Sequence, residues 1–261
     1  MAELLFWPVL LLYGEAVVGY FGDARHPGAA GRAATWGVRL GWLSQTALLG
    51  VQAVREDGFP WGTWAGSLNL FVWLVVGAYL IWGCRKPYRL LGLAVMPLAA
   101  VLLVVSRAGG GTGVGTRSQY SNLFLVLHVG LVLVAFAGFT LAASLSALYI
   151  WQERRLKRRE ATILRRPAPS LATLDRLAGR TVAFALPALT LGVAVGIARL
   201  VSDGERIDAL VVATLATWVV WAAYLAARTR GFTGRRAAYL ALAGFALVIV
   251  VRLALPAVHF A

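Results

Sequence analysis

Five ionisable side chains stand inside long apolar stretches or at their margin: Glu15, Arg39, His128, Arg252 and His259. Such a group costs about 2.5–3.5 kcal/mol or more in hydrocarbon unless it is paired or lines a polar cavity, so each is a candidate for function. Two imidazoles and a guanidinium can act together. Neutral imidazoles are axial ligands for haem iron, and arginine pairs bidentately with a carboxylate such as a haem propionate. A zinc site takes three or four ligands, and no further His or Cys lies near this group. By spacing alone, His128 reads first as a histidine satisfied by a neighbouring hydroxyl or carbonyl, and His259 as a solvated one. The remaining pair, Glu15 and Arg39, falls at matching depth on consecutive apolar runs, which predicts an ion pair between the first two helices.

The elements that must position these groups follow from composition. Of 261 residues, 60% are apolar and only 14% charged, with a mean hydropathy of +0.74. A soluble domain carries roughly 25% charged residues, so an ordinary globule is excluded, and so is disorder, which needs low hydrophobicity. One cysteine excludes a disulfide framework and multi-cysteine metal centres. Runs of about 20 apolar residues read as membrane-crossing helices. There are eight, at about 4–22, 34–54, 66–83, 88–106, 122–151, 181–198, 209–227 and 236–258. They are too long and too uniformly apolar for barrel strands, so the expected fold is an all-α polytopic bundle of eight transmembrane helices forming a single integral membrane domain. No basic residue precedes the first run, which therefore reads as a retained helix and not a secretory signal.

Charge sets orientation. Of the 25 Lys and Arg residues, 18 lie in the loops after runs one, three, five and seven and only five on the opposite side. The positive-inside rule then puts both termini outside and the basic stretch 152–180 in the cytoplasm, as a loop that contacts anionic lipid and marks the one subdomain boundary. Nucleic-acid binding is disfavoured, because no aromatic residues interleave the basic run. Pro167-Ala168-Pro169 predicts a stiff turn followed by a short interfacial helix over 170–177. In this topology His128, Arg252 and His259 all lie toward the outer leaflet. Arg252 and His259, seven residues apart, share a face if the helix persists through Pro256.

Other motifs are weaker. Trp61 and Trp64 sit in an outer loop, either as interface anchors or as an aromatic platform for a flat macrocycle. Gly109 to Gly115 has neither a surrounding βαβ unit nor a following Gly-Lys-Ser/Thr, so it reads as a flexible loop and not a nucleotide site. No serine–histidine–acid set and no intramembrane carboxylate pair is evident, which argues against hydrolysis and proton pumping.

The run Leu127-His128-Val129-Gly130, continuing through Ala142-Ala143-Ser144-Leu145-Ser146-Ala147-Leu148-Tyr149-Ile150-Trp151-Gln152-Glu153-Arg154, resembles the bacterial cytochrome c assembly family. These are the CcsA/CcmC-like haem-handling membrane proteins, and the likeness is greatest to the HemX-like branch. Leu174-Asp175-Arg176-Leu177, Leu189-Thr190-Leu191-Gly192, the Trp218–Tyr224 stretch and Gly234-Arg235-Arg236-Ala237-Ala238-Tyr239 extend it over nearly the whole chain. The resemblance implies about eight helices, haem bound reversibly at the outer face, and His128 and His259 as its ligands. It implies an assembly factor of the bacterial plasma membrane, not a catalyst, with other cytochrome c maturation subunits as partners. Arg252, Trp61 and Trp64 rest on depth and residue type alone. Two departures matter. The loop Arg199–Asp208 lacks the tryptophan-rich WGxxWxWD segment, which puts haem attachment in doubt. Gln45 stands where relatives often have a histidine, so a second, inner haem site has no support. The rival reading, also from the resemblance, is a HemX-like regulatory scaffold without cofactor, whose basic cytoplasmic loop docks a haem-biosynthesis enzyme.

Overall fold

The computed structural model describes residues 2–26, 28–55, 63–83, 85–111, 122–158, 169–204 and 209–254. All regular structure among them is helical: α1 (Ala2–Arg25), α2 (Ala29–Arg55), α3 (Trp64–Gly83), α4 (Gly92–Ala108), α5 (Asn122–Leu125), α6 (Leu131–Lys157), α7 (Leu171–Asp203), α8 (Ala209–Thr229) and α9 (Arg235–Ala254). A 3₁₀ turn, Lys86–Leu91, leads into α4, and a π-turn, Val126–Gly130, joins α5 to α6. The eight long helices among the described residues follow the eight apolar runs. Six are long and apolar enough to cross a membrane: Leu4–Arg25, Trp64–Ile81, Tyr88–Ala108, Leu127–Lys157, Leu171–Ser202 and Val211–Thr229. The protein is therefore a multi-pass membrane protein. The two other long helices are α2, which carries Arg32, Arg39, Gln45 and Gln52, and α9.

Two expectations about the basic stretch need correcting. Residues 152–157 continue α6 and Leu171 already opens α7, so the anticipated loop 152–180 is helical at both ends. The short interfacial helix is the start of α7, a single helix of 33 residues and about 50 Å. Ser170 caps it, its Oγ accepting from the Thr173 N–H at 3.1 Å, and no proline separates Leu177 from the apolar run that follows. Nor does the subdomain boundary lie there. The chain divides into two compact units, Met1–Gln119 with Arg166–Pro169 and Tyr120–Arg165 with Ser170–Ala261, so α6 and α7, on either side of the basic stretch, belong to one unit and the main division falls at Gln119/Tyr120.

In the first unit, α1 to α4 form a ring in which consecutive helices pack and α4 returns to α1. The α1–α2 approach is close enough that a Cβ on Gly19 would lie 2.8 Å from the Ala34 Cβ, which accounts for a small residue on each side. The expected Glu15–Arg39 ion pair is not made. Glu15 lies over Gly37 of α2 and Tyr13 over Gly41. Arg39 is two residues from each, about 200° around the helix, and its guanidinium stacks 4.9 Å from the Trp36 ring centroid. Depth matched but rotation did not.

A buried polar chain ties this unit together instead. The Tyr13 hydroxyl donates to Gln45 Oε1 at 2.7 Å. Gln45 Nε2 donates to the Asn69 carbonyl and to its Oδ1, at 3.1 and 2.8 Å. Asn69 Nδ2 reaches Gln52 Oε1 at 3.5 Å, and Gln52 Nε2 reaches the Gly111 carbonyl at 3.2 Å. Ser106 Oγ donates to the Ala65 carbonyl at 2.6 Å. Gly109–Gly111, expected as flexible, thus belongs to a packed turn, with Gly110 at φ +81°. Replacing Gln45 by leucine would strand the Tyr13 hydroxyl and the Asn69 amide, at a cost of about 2 kcal/mol. Thermal unfolding in detergent should show a clear loss for Gln45→Leu against the lipid-exposed control Leu43→Ala. Equal behaviour of the two would rule out a stabilising chain.

In the second unit α6 packs on α7, α7 on α8, α8 on α9 and α9 back on α6. A Cβ on Gly138 would lie 2.7 Å from the Ala185 Cβ, the same close approach as in the first unit. The core centres on Phe139 and Trp221, stacked at 4.3 Å and 3° and surrounded by Ala135, Ala142, Val182 and Leu189. Thr140, Ser144 and Ser146 return their hydroxyls to carbonyls four residues back, each at 2.8 Å. Polar side chains in this small-residue stretch therefore bring no unsatisfied group into the helix packing.

Candidate functional site

His128 lies in the middle of the π-turn that breaks the helix between α5 and α6. Such turns re-aim side chains and occur often at functional positions. The ring is partly buried against α7, and three contacts fix it. Its Nδ1 is 2.8 Å from the carbonyl of Gly192. A carbonyl only accepts, so Nδ1 carries the proton in the neutral ring and Nε2 keeps its lone pair. Phe124, one turn earlier, stacks on the imidazole at 5.4 Å between centroids and 12° between planes. Gly196 lies beneath the ring: a Cβ there would collide with Cε1 and stand 2.7 Å from Nδ1.

The two glycines have separate jobs. A helical side chain covers the turn N-terminal to its own Cα, so any side chain at position 196 would shield the Gly192 carbonyl from the imidazole. At Gly192 a Cβ would lie 2.9 Å from Val132 Cγ2, so that glycine lets α7 approach α6 closely. This is the support a metal-binding histidine requires, with one ring nitrogen donating to a carbonyl and the other left as the ligand atom. Among the described residues no group of three or more His, Cys, Asp or Glu converges as a metal site.

Of the other sequence-derived candidates, His259 and Trp61 lie outside the described residues, and of Arg252 only its place in α9 is described. Trp64 opens α3 in the first unit, where its indole covers Gly109 and a Cβ on that glycine would collide with it. Trp218, expected to pack, donates from Nε1 to Thr190 Oγ1 at 2.8 Å. Phe124, Gly192, Gly196 and Arg199 were not singled out as site residues by sequence reasoning. The available signal was the four-residue spacing of the glycines, with an arginine three residues beyond, on a helix long enough to face His128.

Comparison with known proteins bears on this arrangement. The family model for cytochrome c assembly proteins matches residues 61–258, which includes both the π-turn and its α7 partner. The chain belongs to that family. Similar members include the protein HemX of Brevibacillus brevis, 30% identical over 192 residues, covering 72% of this chain and 70% of the relative. The cytochrome c biogenesis protein CcsA of Synechococcus elongatus is 27% identical over 297 residues, covering 93% and 88%. CcsA of Guillardia theta is 26% identical over 235 residues, covering 80% and 77%. The resemblance read from His128 and the Ala142–Arg154 run is thus correct for a CcsA/HemX-like cytochrome c assembly protein, a family of assembly factors.

Proposed function

We propose that this assembly protein binds haem reversibly through His128 near the outer face of the bacterial plasma membrane and passes it on during cytochrome c maturation. The observation that carries this reading is the imidazole pinned through Nδ1 to the Gly192 carbonyl, with Nε2 left as a neutral nitrogen donor. Such a donor suits an axial position on haem iron. His259 would supply the second ligand, and Arg252 a countercharge on α9. A bound haem contributes a redox-active iron; the chain's part is to hold one ligand ring in a fixed tautomer and orientation.

Titration of the detergent-solubilised protein with haemin tests it. The wild type should give a six-coordinate, imidazole-ligated absorption spectrum, which His128→Ala and His259→Ala together should abolish. A spectrum that persists in the double variant would overturn the assignment.

A second reading draws on one observation. Arg154, Lys157, Arg158, Arg230, Arg235 and Arg236 are all exposed in the second unit, at or beyond the ends of its apolar runs. They could dock a cytosolic haem-biosynthesis enzyme. Exchanging Arg154, Lys157 and Arg158 for glutamine should then abolish partner association while leaving the haemin spectrum unchanged.

A further inference from the structure

The face of α7 that meets His128 continues to Arg199. Gly192, Gly196 and Arg199 stand at i, i+4 and i+7, so they form one stripe along the helix. The first accepts from the imidazole and the second lies beneath its ring. The Arg199 guanidinium lies 6.0 Å from the centroid of Phe124, the ring that stacks on His128. Ligand nitrogen, aromatic ring and cation are thus assembled by two short segments, Phe124–His128 and Gly192–Arg199, with the cation at the end of α7 nearest its Gly204 cap. Arg199 is exposed at the surface of this unit.

We infer that Arg199 is the carboxylate handle of the His128 site. A planar iron porphyrin ligated at Nε2 would present its carboxylate edge to this guanidinium, whose planar fork matches a carboxylate. This inference rests on the haem reading of His128 and adds a preference for porphyrins that carry free carboxylates. Depth alone points to Arg252 on α9 as a countercharge. The contacts around Phe124 add Arg199 of α7 to it.

The experiment compares haemin with haemin dimethyl ester, which keeps the iron and ring but has no carboxylate, on full-length wild type, Arg199→Gln and Arg199→Lys. Arg199→Gln should weaken haemin binding about tenfold, the loss expected for one charge-assisted pair. It should leave ester binding and the imidazole-ligated spectrum unchanged, while Arg199→Lys should recover part of the loss. An equal loss for haemin and ester would show a merely structural role, and no loss for haemin would show no role; either overturns the inference while the His128 reading stands. Wild type that gives no imidazole-ligated spectrum with either porphyrin would overturn the His128 reading, and this inference with it.

Discussion

On the proposed haem ligation by His128, Gly196→Val should lower haemin affinity by roughly 10–100-fold while leaving the helical content of the protein unchanged, because it removes the support of the proposed ligand and not the imidazole itself. A valine Cβ would collide with the imidazole Cε1, so the ring must tilt away. The branched side chain would also cover the Gly192 carbonyl, which now accepts from Nδ1 at 2.8 Å. Without that acceptor the neutral ring is free to exchange tautomers, and the form that carries its proton on Nε2 would present a proton where the lone pair is needed. Ala198→Val, on an exposed position of the same helix, is the control and should bind haemin like the wild type. Absorption titration reads the affinity and circular dichroism the fold. Undiminished affinity in Gly196→Val would mean that ligation does not use the ring orientation described above.

The contrast between His128 and its supports shows what the sequence could reveal. A histidine in an apolar run is conspicuous by its cost in hydrocarbon, so His128 was legible from residue type alone. Gly192 and Gly196 were not, because glycine is common in membrane helices, and only the position of α7 against the π-turn gives these two a job. Helix existence was legible from run length, which is a one-dimensional quantity. Rotation about the helix axis is not. Glu15 and Arg39 agree in depth, yet Tyr13 over Gly41 and Glu15 over Gly37 turn Arg39 to the other side of α2. The same blindness hid the Tyr13–Gln45–Asn69–Gln52 chain: four polar residues scattered over three helices show no linear pattern. The boundary at Gln119/Tyr120 was missed for a related reason. Charge density marked the stretch after α6 as special, whereas the division follows packing, and α6 packs tightly on α7 across that stretch.

Packing at the other end of the second unit yields the largest expected stability effect. Asp175→Ala should destabilise that unit by about 3 kcal/mol, the loss typical of removing one partner from a largely buried ion pair. Arg228 donates to both carboxylate oxygens of Asp175, at 2.8 and 3.0 Å, and both side chains are only about 15% exposed. Oδ1 also accepts from the Gly234 N–H at 3.1 Å, so one carboxylate joins α7, α8 and the turn into α9. The guanidinium lies across Gly179, where a Cβ would come within 2.5 Å of Nε. Truncating Asp175 therefore leaves a cation and a backbone donor without their acceptor, which costs more than the intact pair contributes. Asp175→Asn retains an acceptor for Gly234 and should lose less. Adding Arg228→Met to Asp175→Ala should recover part of the loss, because the stranded charge is gone. Thermal unfolding of wild type, Asp175→Ala, Arg228→Met and the double variant in one detergent measures the coupling directly. Strict additivity of the single substitutions would show that the two groups act independently, and the role of the Asp175–Arg228 pair in holding α8 to α7 would then fail.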